Sequence, residues 1–282
     1  MRTRHLVAAL LVSAVVSPNA SPAQSGSVIT KIFTSDSLAA VDAQTSPDGR
    51  WLVLSVMRGP GSSSLFITRT AGGPLIQLTS DGHGDMRARW FASGDRIVFL
   101  SDRPNRDGGR QRYLMTLGID PATGKAVGAP RQVSSEPVVY QGPPSPDGRW
   151  LSYVTGLGSA EGQAELKVIP ATGGTPRTLA EFGAGTPIFS RDSRYLYFTA
   201  RERIRGAPCP AQECQFVLKK VSVEGGQAQV LSASAEFPLM VLAGDERFTV
   251  QGALRTGVGP VDRVILRTLD GRDVGVIDLP DR

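Results

Sequence analysis

Two copies of the hexapeptide SPDGRW, at residues 46–51 and 145–150, mark this chain as a repeat protein. Aligning on the arginine that ends each turn brings weaker copies into register: Arg50, Arg96, Arg149, Arg194 and Arg247 are each followed by a large apolar residue, Trp51, Ile97, Trp150, Tyr195 and Phe248. The intervals are 46, 53, 45 and 53 residues. A period of roughly 40 to 50 residues built from short strands predicts propeller blades, because solenoid repeats are usually shorter or helical.

The first copy shows the plan most clearly. SPDG is a tight turn, with Pro47 suited to an early position and Gly49 to positive φ. Residues 51–56 and 64–69 then read as strands, 71–73 as a hairpin turn and 74–79 as an outer strand. The inner strands are apolar on both sides of their alternation, which predicts a sheet packed between two neighbouring sheets. Ahead of the first turn, residues 27–45 resemble an outer strand plus a crossing loop, since IFTSD at 32–36 echoes QLTSD at 77–81. Pairing that strand with the last blade would close the ring and hide its edges. The expected fold is therefore all-β, a β-propeller of four-stranded antiparallel blades. Five blades follow from the repeat count, six if the leading segment and the C-terminal tail form another, and an open ring is the third arrangement.

Residues 1–23 carry two arginines, an apolar run of about eleven residues and small residues ending at Ala23, the pattern of a secretory signal peptide. The run is too short to span a bilayer of roughly 30 Å. Cleavage after Ala23 or Ala20 would leave the propeller as residues 24–282, exported to the periplasm or secreted, with no later segment apolar enough to cross a membrane. Losing Arg2 and Arg4, and no acid, takes the formal charge from +5 to +3. The remaining arginines are scattered, so no nucleic-acid face is expected. Cys209 and Cys214 sit in a proline-containing loop, and in an oxidising compartment the expectation is a local disulfide. Metal and redox sites are not expected, because the cysteines lack CxxC spacing and His83 is the sole imidazole beyond the leader.

The stretch LTSDGHGDMRARWFASGDRIVFLSDRPNRDGGRQRYLMTL, residues 78–117, resembles the repeat of TolB-type, WD-repeat-like propellers. Trp90 matches the family's tryptophan, Ser101, Asp102 and Arg103 its SDR element, and Tyr113, Leu114 and Met115 its second strand. The resemblance covers nearly all of the chain beyond the leader, without the α/β domain that precedes the propeller in TolB. It implies a monomer that binds a periplasmic or envelope protein, with no cofactor.

Candidate chemistry is sparse. Asp48, Asp147 and Asp192 read as turn aspartates bonded to their own backbone. A serine hydrolase needs a nucleophile elbow and a base, and the sequence has no GxSxG. The expectation is thus a binding protein and not an enzyme, although carboxylates brought together across blades could act as a lyase or glycosidase. A stand-alone relative of a prolyl oligopeptidase propeller is a further possibility. Recognition is expected in loops, since the strands are consumed by packing. The candidates are His83, Asp85, Arg87 and Arg89 in the crossing loop at 81–89, with Asp102, Arg103, Arg106 and Arg110 in the loop at 102–112.

Overall fold

Strands rich in Val, Ile, Leu and aromatic residues, separated by Gly turns every few residues, can bury both faces only by stacking as sheets. The computed structural model shows that arrangement for residues 39–59, 62–79, 82–103, 111–156, 164–181, 183–203, 214–234, 241–242, 248–253 and 263–278, which are the residues described here. The leader, residues 32–36, Arg106, Arg110 and Cys209 lie outside them.

Among the described residues, twenty strands form five four-stranded antiparallel sheets in simple meander order. The first holds β1 (Ala39–Thr45), β2 (Trp51–Gly59), β3 (Ser62–Arg69) and β4 (Ile76–Gln77). The second holds β5 (Met86–Trp90), β6 (Arg96–Ser101), β7 (Tyr113–Ile119) and β8 (Ala126–Gln132). The third holds β9 (Tyr140–Gln141), β10 (Trp150–Thr155), β11 (Glu165–Pro170) and β12 (Arg177–Glu181). The fourth holds β13 (Gly183–Phe189), β14 (Tyr195–Arg203), β15 (Cys214–Ser222) and β16 (Gln229–Ser234). The fifth holds β17 (Val241–Leu242), β18 (Phe248–Ala253), β19 (Arg263–Thr268) and β20 (Asp273–Asp278).

Alternation along β6 explains the stacking. Ile97 and Phe99 join Trp51, Val53, Leu65 and Ile67 of the first sheet, whereas Val98 and Leu100 point the other way to Leu151 and Tyr153 of the third. The third and fourth sheets share another such layer, from Val154, Leu166 and Val168 to Leu196 and Phe198. Each fully buried aliphatic or aromatic side chain of this kind contributes about 1.5–3 kcal/mol. The outer strands are largely exposed, as the pattern of β8 shows. Four blades are thus packed face to face, and β17–β20 form a fifth sheet that no apolar cluster of the described residues joins to them. The expectation of five or six blades is established only at the level of an all-β propeller with four-stranded blades.

Two strands fall where loops are expected. Residues 39–45, read as part of a crossing loop, are the first strand of the first sheet, and the outer strand expected ahead of them lies outside the described residues. Residues 86–90 likewise begin the second sheet, so Arg87 and Arg89 stand on a strand. The polar residues that alternate along both segments meet across neighbouring first strands, as Arg89 of β5 pairs with Asp42 of β1. The first strands approach one another, β1 with β5 and β9 with β13.

The SPDG turns behave as expected. Asp48 Oδ1 accepts from Ser46 Oγ at 2.6 Å and Arg50 N at 3.0 Å, and Asp147 and Asp192 repeat both bonds with Ser145, Arg149, Ser190 and Arg194. In the fourth copy Ser193 takes the glycine's place at φ 60°, and its Oγ accepts from Asp147 N of the neighbouring turn at 3.0 Å.

Candidate functional site

Where the chain crosses from the first sheet to the second, the segment 82–87 is gripped from both sides. On the first-sheet side Gly84 bridges Ser63, Asp85 N donates to Ser63 O at 2.9 Å, and Ser63 Oγ donates to Asp85 O at 2.8 Å. On the second-sheet side the SDR residues that end β6 close over it. Gly84 N donates to Asp102 Oδ1 at 2.9 Å, and His83 Nδ1 lies 3.2 Å from the same oxygen. The Arg103 guanidinium forks onto Asp85 with bonds of 2.9 and 2.7 Å. Asp85 is 1% exposed, and burial pushes its carboxyl pKa up against the opposing pull of Ser101, Arg103 and Thr79. The SDR element is therefore a clamp on the crossing segment, and Asp85 and Arg103 are turned toward each other rather than toward solvent.

Beyond the clamp the chain bulges at Met86/Arg89, and Arg87 adopts φ 56°. A left-handed backbone costs an arginine roughly 1–2 kcal/mol, and bulges re-aim side chains. Two bonds hold it: Arg87 N to Ser55 Oγ at 3.0 Å, and Gln141 Nε2 to Arg87 O at 2.6 Å. The Arg87 guanidinium lies 5.5 Å from the centre of the Tyr140 ring and 3.4 Å from Val139 O, with no carboxylate partner among the described residues. Arg89 differs, since its Nη1 pairs with Asp42 Oδ2 of β1 at 2.7 Å. Gln141 is buried, and its Oε1 has no hydrogen-bond partner among the described residues.

The structure thus brings His83, Asp85, Asp102 and Arg103 into one cluster and sets Arg87 and Arg89 on the adjoining inner strand. Asp42, Tyr140 and the buried Gln141 complete this cluster and were not expected. Asp42 was hidden by the reading of residues 27–45 as an outer strand plus a crossing loop, which put it in the loop. A related cluster serves the next crossing, where Tyr153 Oη and Lys167 Nζ both bond Glu136, at 2.7 and 2.8 Å, and Lys167 also pairs with Glu165. Glu165 and Lys167 are neighbours on one face of β11, but nothing local in the sequence links either to Glu136 or Tyr153. Cys214 opens β15, and its expected disulfide to Cys209 lies outside the described residues.

Meander sheets stacked about inner strands, with an SDR clamp at the crossing, define a TolB-like β-propeller. Comparison with solved structures agrees: TolB from Acinetobacter baumannii superposes with a TM-score of 0.59 at 12% identity, over 86% of this chain and 54% of that one. An oligogalacturonate lyase in complex with manganese superposes with a TM-score of 0.54 at 14% identity, over 83% of this chain and 64% of that one. In sequence the chain is 29% identical over 168 residues to the uncharacterized peptidase YuxL of Bacillus subtilis (strain 168), covering 57% of this chain and 22% of that protein. No protein-family model matches. The chain spans less than two thirds of each of these proteins. The likeness to a protein named as a peptidase overturns the expectation that the chain is not an enzyme.

Proposed function

We propose that this chain is an exported, monomeric propeller that binds a polypeptide segment of a periplasmic or envelope protein on its crossing-loop face. The observation that carries the reading is Arg87. A bulge and a left-handed backbone hold its guanidinium at the inner edge of the second sheet, without an acid partner among the described residues. A side chain kept in that posture against its own backbone preference suits recognition of a carboxylate or of backbone carbonyls. His83 and Asp102 pair at the start of the same crossing segment.

Closure of the ring by the fifth sheet, giving five blades, belongs to the same reading. Its support is the far face of the first sheet, where Leu52, Leu54 and Val56 are 3%, 3% and 0% exposed although they point away from the second sheet.

The test places a photo-crosslinking residue at position 83 and, as a control, at position 127 on the outer rim. The expected result is a polypeptide adduct from position 83 that Arg87→Glu reduces about tenfold or more. Equal adducts from both positions, or adducts indifferent to Arg87→Glu, would refute it.

A second reading, favoured by the peptidase likeness and by the His83–Asp102 pair, is that the same face takes part in peptide hydrolysis. An imidazole oriented by a carboxylate is the base-bearing half of a hydrolytic triad. Peptide hydrolysis that His83→Ala abolishes would favour it; hydrolysis unchanged by that substitution would remove His83 from the chemistry.

A further inference from the structure

Two arginines meet the segment that crosses from the second sheet to the third, residues 133–139. Val138 N donates to Arg112 O at 2.7 Å, and Val139 O lies 3.4 Å from Arg87 Nη1. Arg112 stands just ahead of β7, two residues before Leu114, and side chains alternate along a strand, so the two share a side. Leu114 packs with Val138, Leu151 and Tyr153 toward the third sheet, whereas Met115, Leu117 and Ile119 pack toward the first. Arg112 therefore lies over the seam between the second and third sheets. Arg87 reaches the same seam from the inner strand β5.

The acids around the first two crossings are engaged elsewhere. Asp42 pairs with Arg89, Asp85 with Arg103, and Asp102 takes Gly84 N and His83. Glu136, on the crossing segment itself, is turned to Tyr153 Oη and Lys167 Nζ. Neither Arg87 nor Arg112 has a carboxylate partner among the described residues, and Arg112 Nε is shielded from water with no hydrogen-bond partner. Both side chains are nonetheless partly exposed. For Arg112 this is the posture of an arginine whose stem is seated in the protein while its charged end reaches water. The unanswered Nε weakens the fold, so stability does not account for a cation at this position.

We propose that Arg87 and Arg112 bind two acidic side chains of one extended polypeptide segment, an assignment that names the chemistry of the partner in the function proposed above and rests on that reading. One strand separates β5 from β7, so their backbones stand roughly 10 Å apart, at about 4.8 Å per strand. An extended segment lying across the strand ends rises about 3.4 Å per residue. Acids at alternate positions then share a side about 7 Å apart, a gap that two long arginine side chains close. Each ion pair at a partly exposed edge is weak alone, and two on one segment reinforce each other. A polypeptide is favoured over a nucleic-acid strand because Arg89 and Arg103 are already held by acids, which leaves two cations and not a track for successive phosphates.

The test titrates the heptapeptide GSESESG into the ¹⁵N-labelled chain and follows the arginine Nε–H resonances, assigned with Arg→Lys variants. The expected result is a saturable shift at Arg87 and Arg112, with Arg89 and Arg103 unmoved because Asp42 and Asp85 already hold them. The glutamine counterpart GSQSQSG should bind roughly tenfold more weakly or worse, and so should GSESESG to Arg87→Gln or Arg112→Gln. Arg112→Lys keeps the charge and should bind within about fivefold of the parent chain, which separates loss of the cation from loss of folding. No shift at roughly millimolar peptide, equal binding of GSQSQSG, or binding indifferent to Arg112→Gln would overturn the proposal. Tighter binding of an oligothymidylate than of GSESESG would also overturn it, in favour of a nucleic-acid site. A crosslinked adduct from position 83 that needs Arg87 and not Arg112 would defeat the two-acid assignment while leaving the binding face standing.

Discussion

Arg103→Met tests whether the SDR element is a clamp. Asp85 is 1% exposed and its two oxygens are held by the two terminal nitrogens of Arg103, itself 13% exposed. Removing one partner of a buried pair leaves the other charge uncompensated and costs about 3–5 kcal/mol; the partial exposure of Arg103 places this case near 3 kcal/mol. For a chain of this size that is a fall in Tm of roughly 6–12 °C. The loss should depend on pH with a definite sign. Burial already raises the Asp85 pKa, and removing the arginine raises it further. A folded pKa above the unfolded one means that stability is retained at low pH and lost as pH rises through the folded value. Urea denaturation followed by circular dichroism should therefore show a smaller deficit at pH 5 than at pH 8. Asp85→Leu combined with Arg103→Met should recover part of the loss, because no charge is then stranded. A deficit below about 0.5 kcal/mol, or one unchanged between the two pH values, would refute the clamp.

Three further outcomes follow from other parts of the fold. Gly142→Ala should destabilise by about 2–3 kcal/mol in the same assay, since its Cβ would lie 2.1 Å from Pro187 O of the fourth sheet; a neutral effect would contradict that close approach. In the first turn, the Ser46 hydroxyl, then the Arg50 N–H and the Arg50 side chain, hold the Asp48 carboxyl down to about 2. A carbon-detected NMR titration should find that midpoint, with the turn's stabilising contribution present above the ordinary carboxylate pKa and lost as pH falls toward 2; a midpoint near 3.8 would show the bonds are not made. Non-reducing intact mass with alkylation should find no free thiol if Cys209 and Cys214 pair, and two labelled thiols would end that expectation.

Much of the site was visible as residues and almost none of it as geometry. The SDR triplet and the charged run from His83 to Arg89 stand out in the sequence, yet Arg103 faces Asp85 while Arg89 faces Asp42. Side-chain direction in a strand depends on register, and the bulge at Met86/Arg89 shifts that register within the segment itself.

The sequence by itself determined the repeat, the turns and the two-sided apolar strands, because each rests on chemistry within a few residues of the chain. Ser46, Asp48, Gly49 and Arg50 fold SPDG wherever it occurs, and alternation along β6 prescribes a neighbour on each side. Only the tertiary structure decided that residues 39–45 are an inner strand and that Arg87 stands without an acid partner among the described residues. It also decided that identical hexapeptides have different surroundings, with Trp51 Nε1 bonded to Pro121 O and Trp150 Nε1 without a hydrogen-bond partner among the described residues. These outcomes depend on which blade comes next and how its turn is built, and the residues that settle them lie some 25 to 75 positions away on neighbouring strands and sheets.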